Sequence, residues 1–306
     1  MRQDLMKGND PVHAPVAAES PAPEWVARDR YQLLSASFNV YATDLAMARS
    51  IRWLLDPFWL PFGEATYSVE IAATGDGTGQ EWPLYRCSIG GVLQTESWYR
   101  HDLVGAALNG VYQLVPTVTR DFLLLHAGAV VRGGEAILLP GPPNSGKSST
   151  TLELLRTGAF AYLSDEFGAI DPVTSRAYPM ERPIRIDQEA LDLFPGLEPR
   201  LADRREMPVR LMWRFIRAWD LGAETGRPAT VGWIVLPTQT GDGPPRLSPV
   251  SAAEAVAEMA RNSFNLHVYG DRGVHLLARV ARKARAFRLM GGTPSERAAL
   301  LAEQLI

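Results

Sequence analysis

The sequence predicts an α/β protein: a phosphate loop set in a sheet-and-helix core, preceded by a smaller N-terminal α/β domain. Three observations carry this. Apolar strand runs alternate with helical runs from about residue 116 onward. The motif Gly141-Pro142-Pro143-Asn144-Ser145-Gly146-Lys147-Ser148 joins one strand run to a helical run. Of the 306 residues, 46% are apolar, enough to bury a sizeable core.

Residues 1–24 are rich in Pro, Ala and polar side chains, which predicts a disordered lead-in, and they lack the apolar stretch of a secretory signal. Residues 25–115 form the expected N-terminal domain. "YQLLSASFNVYA" and "ATYSVEIAA" have β-rich composition, and "WPLYRCSIGGVLQTESW" reads as a hairpin turned at Gly90-Gly91. "DLAMARSIRWLL" and "HDLVGAALNGVYQLV" have helical spacing. No chemically reactive side chains converge there, so a structural or partner-binding role is expected.

Residues 116–306 form the expected phosphate-loop domain. "FLLLHAGAVV" is a buried strand, Arg132-Gly133-Gly134-Glu135 a tight turn, and "AILLP" a second strand. The loop follows, and "SSTTLELLRTG" is a helix stopped at Gly158. "AFAYLS" is a short strand ending at Asp165-Glu166. Further on, "VGWIVLP" is a core strand, a helix opens at Ser248 or Ser251, and "GVHLLARVARKARAFRLM" is helix then strand. Segment 196–228 resists assignment; it reads either as a substrate-facing loop or as a surface excursion.

The loop meets the full G-x-x-x-x-G-K-[ST] pattern in the required order of strand, loop and helix. In such a loop, successive backbone N–H groups curl around phosphate oxygens, and the helix supplies its own unpaired N–H groups and positive dipole end. Gly141 to Ser149 would therefore bind nucleotide, with Lys147 at the β/γ-phosphates and Ser148 at Mg²⁺. Asn144 stands where a glycine would serve a left-handed backbone, and Asn is among the few residues that adopt it at modest cost. Pro142 and Pro143 have no N–H to donate and stiffen the approach instead.

Asp165 and Glu166, at the end of a strand beside the loop, are candidates to anchor a metal ion and to take a proton from an attacking hydroxyl. His126 lies in an apolar run. It is readable as a core residue, or as a group lying alongside the phosphates with room left by Ala127-Gly128-Ala129. Arg182 and Arg185 are readable as phosphate clamps, although in a chain with 31 Lys and Arg the surface-charge reading leads.

The formal net charge of −3 gives no bulk attraction to nucleic acid or anionic membrane. The single cysteine excludes an intrachain disulfide and fits a reducing compartment. No run reaches the length needed to span a bilayer. A cytoplasmic protein without nucleic-acid or membrane partners is expected. Lys7, Lys147 and Lys283 are the only lysines, and one of them occupies the loop, where a compact ammonium is needed.

"LLLHAGAVVRGG", "AILLPGPPNSGKSSTTLELLRTG", "YLSDEFGAIDP" and "PMERPIRI" together resemble the HPr kinase/phosphorylase superfamily, in particular the group known as HprK-related kinase A. The likeness covers about residues 115–300. It implies the phosphate-loop core shared by the HPr kinase C-terminal domain and phosphoenolpyruvate carboxykinase, a mixed twisted sheet. It also implies a histidine by the phosphates at His126, and a base and metal contact in the acidic pair. The implied activity is transfer of the ATP γ-phosphoryl group, with Mg²⁺, to a serine hydroxyl of a protein or peptide. Such enzymes form homo-oligomers, but no apolar stripe here carries that over.

Glu166 stands where true HPr kinases have a second aspartate, so the roles within the pair stay open. Their later glycine- and arginine-bearing signature is missing, which leaves phosphorylase activity and HPr itself outside the expectation. Two other readings stand beside the serine kinase: an ATP-gated binding module without transfer, and a small-molecule kinase or carboxykinase-like enzyme.

Overall fold

The computed structural model describes residues 23–74, 83–198, 201–203, 205–238 and 243–305. Residues 1–22 of the expected lead-in lie outside these. The molecule is mixed α/β, with two large sheets and a small one.

The first sheet is built from β1 (Ala27–Leu33), β2 (Ala36–Ala42), β3 (Trp59–Leu60), β4 (Tyr67–Thr74), β5 (Leu84–Ile89) and β6 (Val92–Ser97), in the order β3-β1-β2-β4-β5-β6. The β5–β6 hairpin turns at Gly90 and Gly91, with φ of 56° and 79°, a conformation glycine adopts without steric penalty. Helix α1 (Leu45–Leu55) starts at Asp44, whose side chain accepts the Met47 N–H at 2.9 Å. Helix α2 (Arg100–Val118) packs against β5 and β6. It runs through Pro116, so the boundary placed at residue 115 falls inside a helix.

The second sheet holds β7 (Leu123–Arg132), β8 (Glu135–Pro140), β9 (Ala161–Ser164), β10 (Phe167–Ile170), β11 (Arg176–Tyr178), β14 (Ala229–Pro237), β15 (Arg246–Pro249) and β16 (Arg285–Met290). Its path is β11-β10-β7-β8-β14-β16-β15, with β9 on β7. Strands β8, β14 and β16 are mutually parallel; the other pairings are antiparallel. Strands β12 (Ile184–Asp187) and β13 (Trp213–Ile216) form the small sheet.

Both faces of the central strands are covered, which is why they read as unbroken apolar runs. Ile137, Leu139, Trp233 and Val235 pack with helices α3 (Lys147–Arg156) and α7 (Pro294–Gln304). The alternate residues Ala136, Leu138, Ile234 and Leu236 pack with α4 (Ala252–Arg261) and α6 (Asp271–Lys283). The N-cap of α4 is Ser251, its side chain accepting from Glu254 N–H, while Ser248 sits on β15. A single turn, α5 (Leu266–Tyr269), precedes α6.

The segment read as a substrate-facing loop or a surface excursion is not a surface excursion. Met207, Val209, Leu211 and Phe215 are buried in one cluster with Phe38, Ile51 and Leu54 of the first sheet and its helix. The Val209 N–H donates to the buried Ser50 hydroxyl at 3.0 Å. Leu124 and Phe167 of the second sheet belong to the same cluster. One core therefore runs from the first sheet to the strand that carries His126 and the strand that begins just after Glu166.

Candidate active site

Strand β8 delivers the chain to the 141–148 loop. The Gly141 N–H donates to the His126 carbonyl at 3.2 Å, tying the loop to β7. A side chain at Gly141 would meet Ser145 Oγ at 2.7 Å, so the turn needs glycine for close approach. Asn144 has φ of 62°, the left-handed conformation its side chain tolerates. Gly146 has φ of 95° and leads directly into α3. The unpaired N–H groups of the first turn of α3 therefore face the loop. Lys147 is 4% exposed, and its Nζ donates to the Pro142 carbonyl at 2.7 Å. Burial lowers its pKa, and Asp165 and Glu166 oppose that shift.

The acidic pair is aimed by a break in pairing. Strands β9 and β10 both run antiparallel to β7, with Ala129 opposite Ser164 and His126 opposite Phe167. The register slips between Ala129 and Val130. A bulge of this kind re-aims side chains, and Asp165 and Glu166 follow it immediately. Asp165 is 2% exposed, and its Oδ1 is buried without a hydrogen-bond partner. The Ser148 hydroxyl is among the polar groups against its carboxyl. Burial pushes its pKa up to about 7 and Glu166 adds to the rise, against Arg182, Ser148 and Lys147.

Glu166 is more open. Its carboxylate lies 3.3 Å from Arg182 Nη1 and 3.5 Å from His126 Nε2. The His126 pKa is pushed down to about 4 by burial and by the Lys147, Arg182 and Arg185 charges, against Glu166. At neutral pH His126 is uncharged, so its contact with Glu166 is polar and not an ion pair. Its ring packs on Phe264 at 5.4 Å. The room expected beside Ala127-Gly128-Ala129 is filled by α3: a side chain at Gly128 would meet Thr151 Oγ1 at 2.2 Å.

Arg182 corrects the surface-charge expectation. It is 6% exposed and lies 4.4 Å over the Tyr112 ring of α2. Burial works against its charge, but Tyr112, Glu166 and Asp165 hold it protonated. Arg185, on the exposed side of β12, lies 5.0 Å over Trp213.

These groups line one cleft of about 250 Å³. His126, Pro143, Asn144, Gly146, Lys147, Ser148, Ser149, Asp165, Glu166, Arg182 and Arg185 all face it. Gly141, Pro142 and Ser145 do not line it; they shape the loop behind. The sequence reading missed Asp187 and Phe194 in the cleft wall, and Arg297 of α7 behind Gly146. Asp187 follows Arg185 by two on the same exposed face of β12, so strand periodicity marks it. Phe194 and Arg297 carry no such signal.

Across Glu166, Arg182 and Arg185 a second cavity of about 200 Å³ opens between α2 and β13. Those three side chains are common to both.

The cleft suits a divalent cation bound with phosphate. The orphaned Asp165 oxygen and the Ser148 hydroxyl are hard oxygen donors, the kind Mg²⁺ selects. Among the described residues no group of three or more His, Cys, Asp or Glu is placed to hold a metal by itself. Mg²⁺ beside a nucleotide characteristically uses one or two protein ligands, with phosphates and water completing its shell.

Fold and site together define a mixed α/β protein whose cleft, over a glycine–lysine loop, is lined by both cationic and carboxylate side chains. No protein-family model matches the chain, and no curated protein matches it. No helix among the described residues is long and apolar enough to cross a membrane.

Proposed function

We propose that this chain is an ATP- and Mg²⁺-dependent kinase that transfers the γ-phosphoryl group to a serine hydroxyl of a protein or peptide, working inside the cell and related to the HPr kinase superfamily. The observation that carries this reading is the convergence of His126, Lys147, Ser148, Asp165, Glu166, Arg182 and Arg185 on one cleft. The mixed sheet, with the loop leaving a central strand, supports the implied kinship with the HPr kinase and carboxykinase core.

The loop N–H groups, the start of α3 and Lys147 bind the β- and γ-phosphates. Ser148 and Asp165 are the residues that would hold Mg²⁺, which would supply neutralisation of charge on the phosphate oxygens. Glu166 faces both cavities and accepts the proton of the attacking hydroxyl. A bond forms between that oxygen and the γ-phosphorus as the bond to the bridging β-phosphate oxygen breaks, releasing ADP. Neutral His126 and the guanidiniums of Arg182 and Arg185 orient and stabilise the transferring group.

ATP titration with and without Mg²⁺ tests the site. Wild-type protein should bind with micromolar affinity and gain at least tenfold from Mg²⁺. Lys147→Ala should lose at least tenfold. Equal affinity of the variant, or indifference to Mg²⁺, would contradict the assignment. The continuous core from the first sheet to the cleft favours the ATP-gated binding module as the competing reading. Tight binding with no transfer distinguishes it.

A further inference from the structure

We infer that the second cavity is the acceptor subsite and that it takes an extended peptide presenting its serine hydroxyl at Glu166; this rests on the kinase reading. The placement argues first. A ligand in this cavity reaches Glu166, Arg182 and Arg185, and no residue of the 141–148 loop lines it. In-line transfer needs an acceptor that enters by a route other than the one the nucleotide's phosphates occupy on the loop, and this cavity offers one.

The wall chemistry argues for a peptide. Asn109 and Gln113 both line the cavity from α2 and are solvent-exposed. Among the described residues neither amide has a hydrogen-bond partner. Four residues of helix rise about 6 Å, on one helix face. Same-side groups of an extended chain recur every two residues, at about 6.6–6.8 Å. Each amide offers both donor and acceptor, so the pair matches successive backbone groups of one extended strand. Trp213, Phe215, Phe264 and Tyr112 line the same cavity. That aromatic wall takes a bulky apolar side chain next to the serine.

The arrangement also assigns work to the N-terminal region. Its helix α2 forms the amide wall, and its Tyr112 supports Arg182. Acceptor choice therefore lies with α2 and nucleotide binding with the 141–148 loop. Asn109 and Gln113 are positioning residues and Trp213 a specificity residue.

The test is selection from a positional-scanning library of short peptides with a central serine. Immobilised protein is loaded with Mg²⁺ and a non-hydrolysable ATP analogue. Peptides with a bulky apolar neighbour to the serine should be enriched at least tenfold. The double variant Asn109→Ala/Gln113→Ala should lose that enrichment while keeping analogue affinity within about threefold. Trp213→Ala should keep peptide capture and lose the apolar preference. Both variants change partly or fully exposed side chains, so the fold should survive, which circular dichroism checks.

No enriched peptide, or the same enrichment in the double variant, overturns the assignment. So does phosphorylation of any acceptor at unchanged rate by both variants, an outcome that leaves the kinase reading standing. Peptide capture without phosphoryl transfer has the opposite meaning: the subsite stands and the kinase reading falls.

Discussion

At the residue scale, Asp165 and Glu166 are adjacent but meet different surroundings. Asp165 is sealed beside Ser148 with an oxygen unpaired, while Glu166 bridges His126, Arg182 and both cavities. Their substitutions should separate. Glu166→Gln should leave ATP affinity within about threefold and cut transfer about 10²–10⁴-fold. Asp165→Asn should abolish the Mg²⁺ gain in ATP affinity. A Glu166→Gln variant that loses nucleotide affinity instead would reverse the roles, and calorimetric titration distinguishes the two.

Protonation makes a second prediction for the ligand-free protein. The Asp165 pKa stands above its unfolded value, at about 7. The folded state then binds more protons than the unfolded one between about pH 4 and 7, so stability falls as pH rises through that window. His126 is depressed to about 4, so its contribution is present above about pH 6.5 and lost as pH falls towards 4. The two slopes oppose each other over the shared range. Asp165→Asn removes one of them. The variant should melt a few degrees above wild type at pH 8, roughly 3 °C or more, and should lose stability more steeply below about pH 6.5. A lower melting temperature at pH 8 would show that the buried carboxylate is stabilising as it stands.

At the element scale, the cleft depends on how closely α3 sits on β7. Gly128 permits that contact, with Thr151 filling the place of a side chain. Gly128→Val should cost about 1–3 kcal/mol by overpacking and weaken ATP binding by displacing the start of α3. Thermal melting and titration check both, and unchanged values would show that α3 has slack. Elements with local signals were legible in the sequence. Gly133-Gly134 and Gly90-Gly91 turn hairpins, and Asn144 takes the left-handed backbone its position demands. The bulge that re-aims the acidic pair was not legible, because it depends on β7 pairing with residues some thirty-five positions away. Arg182 was misread as surface charge for the same reason: its burial is made by Tyr112, distant in the chain.

At the scale of the whole molecule, the sequence divides the chain near residue 115, whereas the packing joins the parts. Leu124, Phe167, Met207 and Phe215 share a cluster with the first sheet. Residues 116–306 alone would expose those side chains to water, at about 1.5–3 kcal/mol for each large one. That fragment should be insoluble or bind a hydrophobic dye, without a cooperative melt. A fragment that melts cooperatively and binds ATP would show that the two regions are independent. The candidate nucleotide cleft was legible from motif and spacing. The second cavity was not, since α2, β13 and Phe264 come together only through long-range packing.

The central claim is phosphoryl transfer to a hydroxyl, and ATP labelled at either the γ- or the α-phosphate tests it directly. Purified protein, Mg²⁺ and the products of the neighbouring genes are incubated with each label in turn. Label from the γ-position should appear on a serine of one acceptor, label from the α-position on none, and Lys147→Ala should lower incorporation at least 100-fold. Tight ATP binding with no labelled acceptor, or labelling unchanged in Lys147→Ala, would contradict the account.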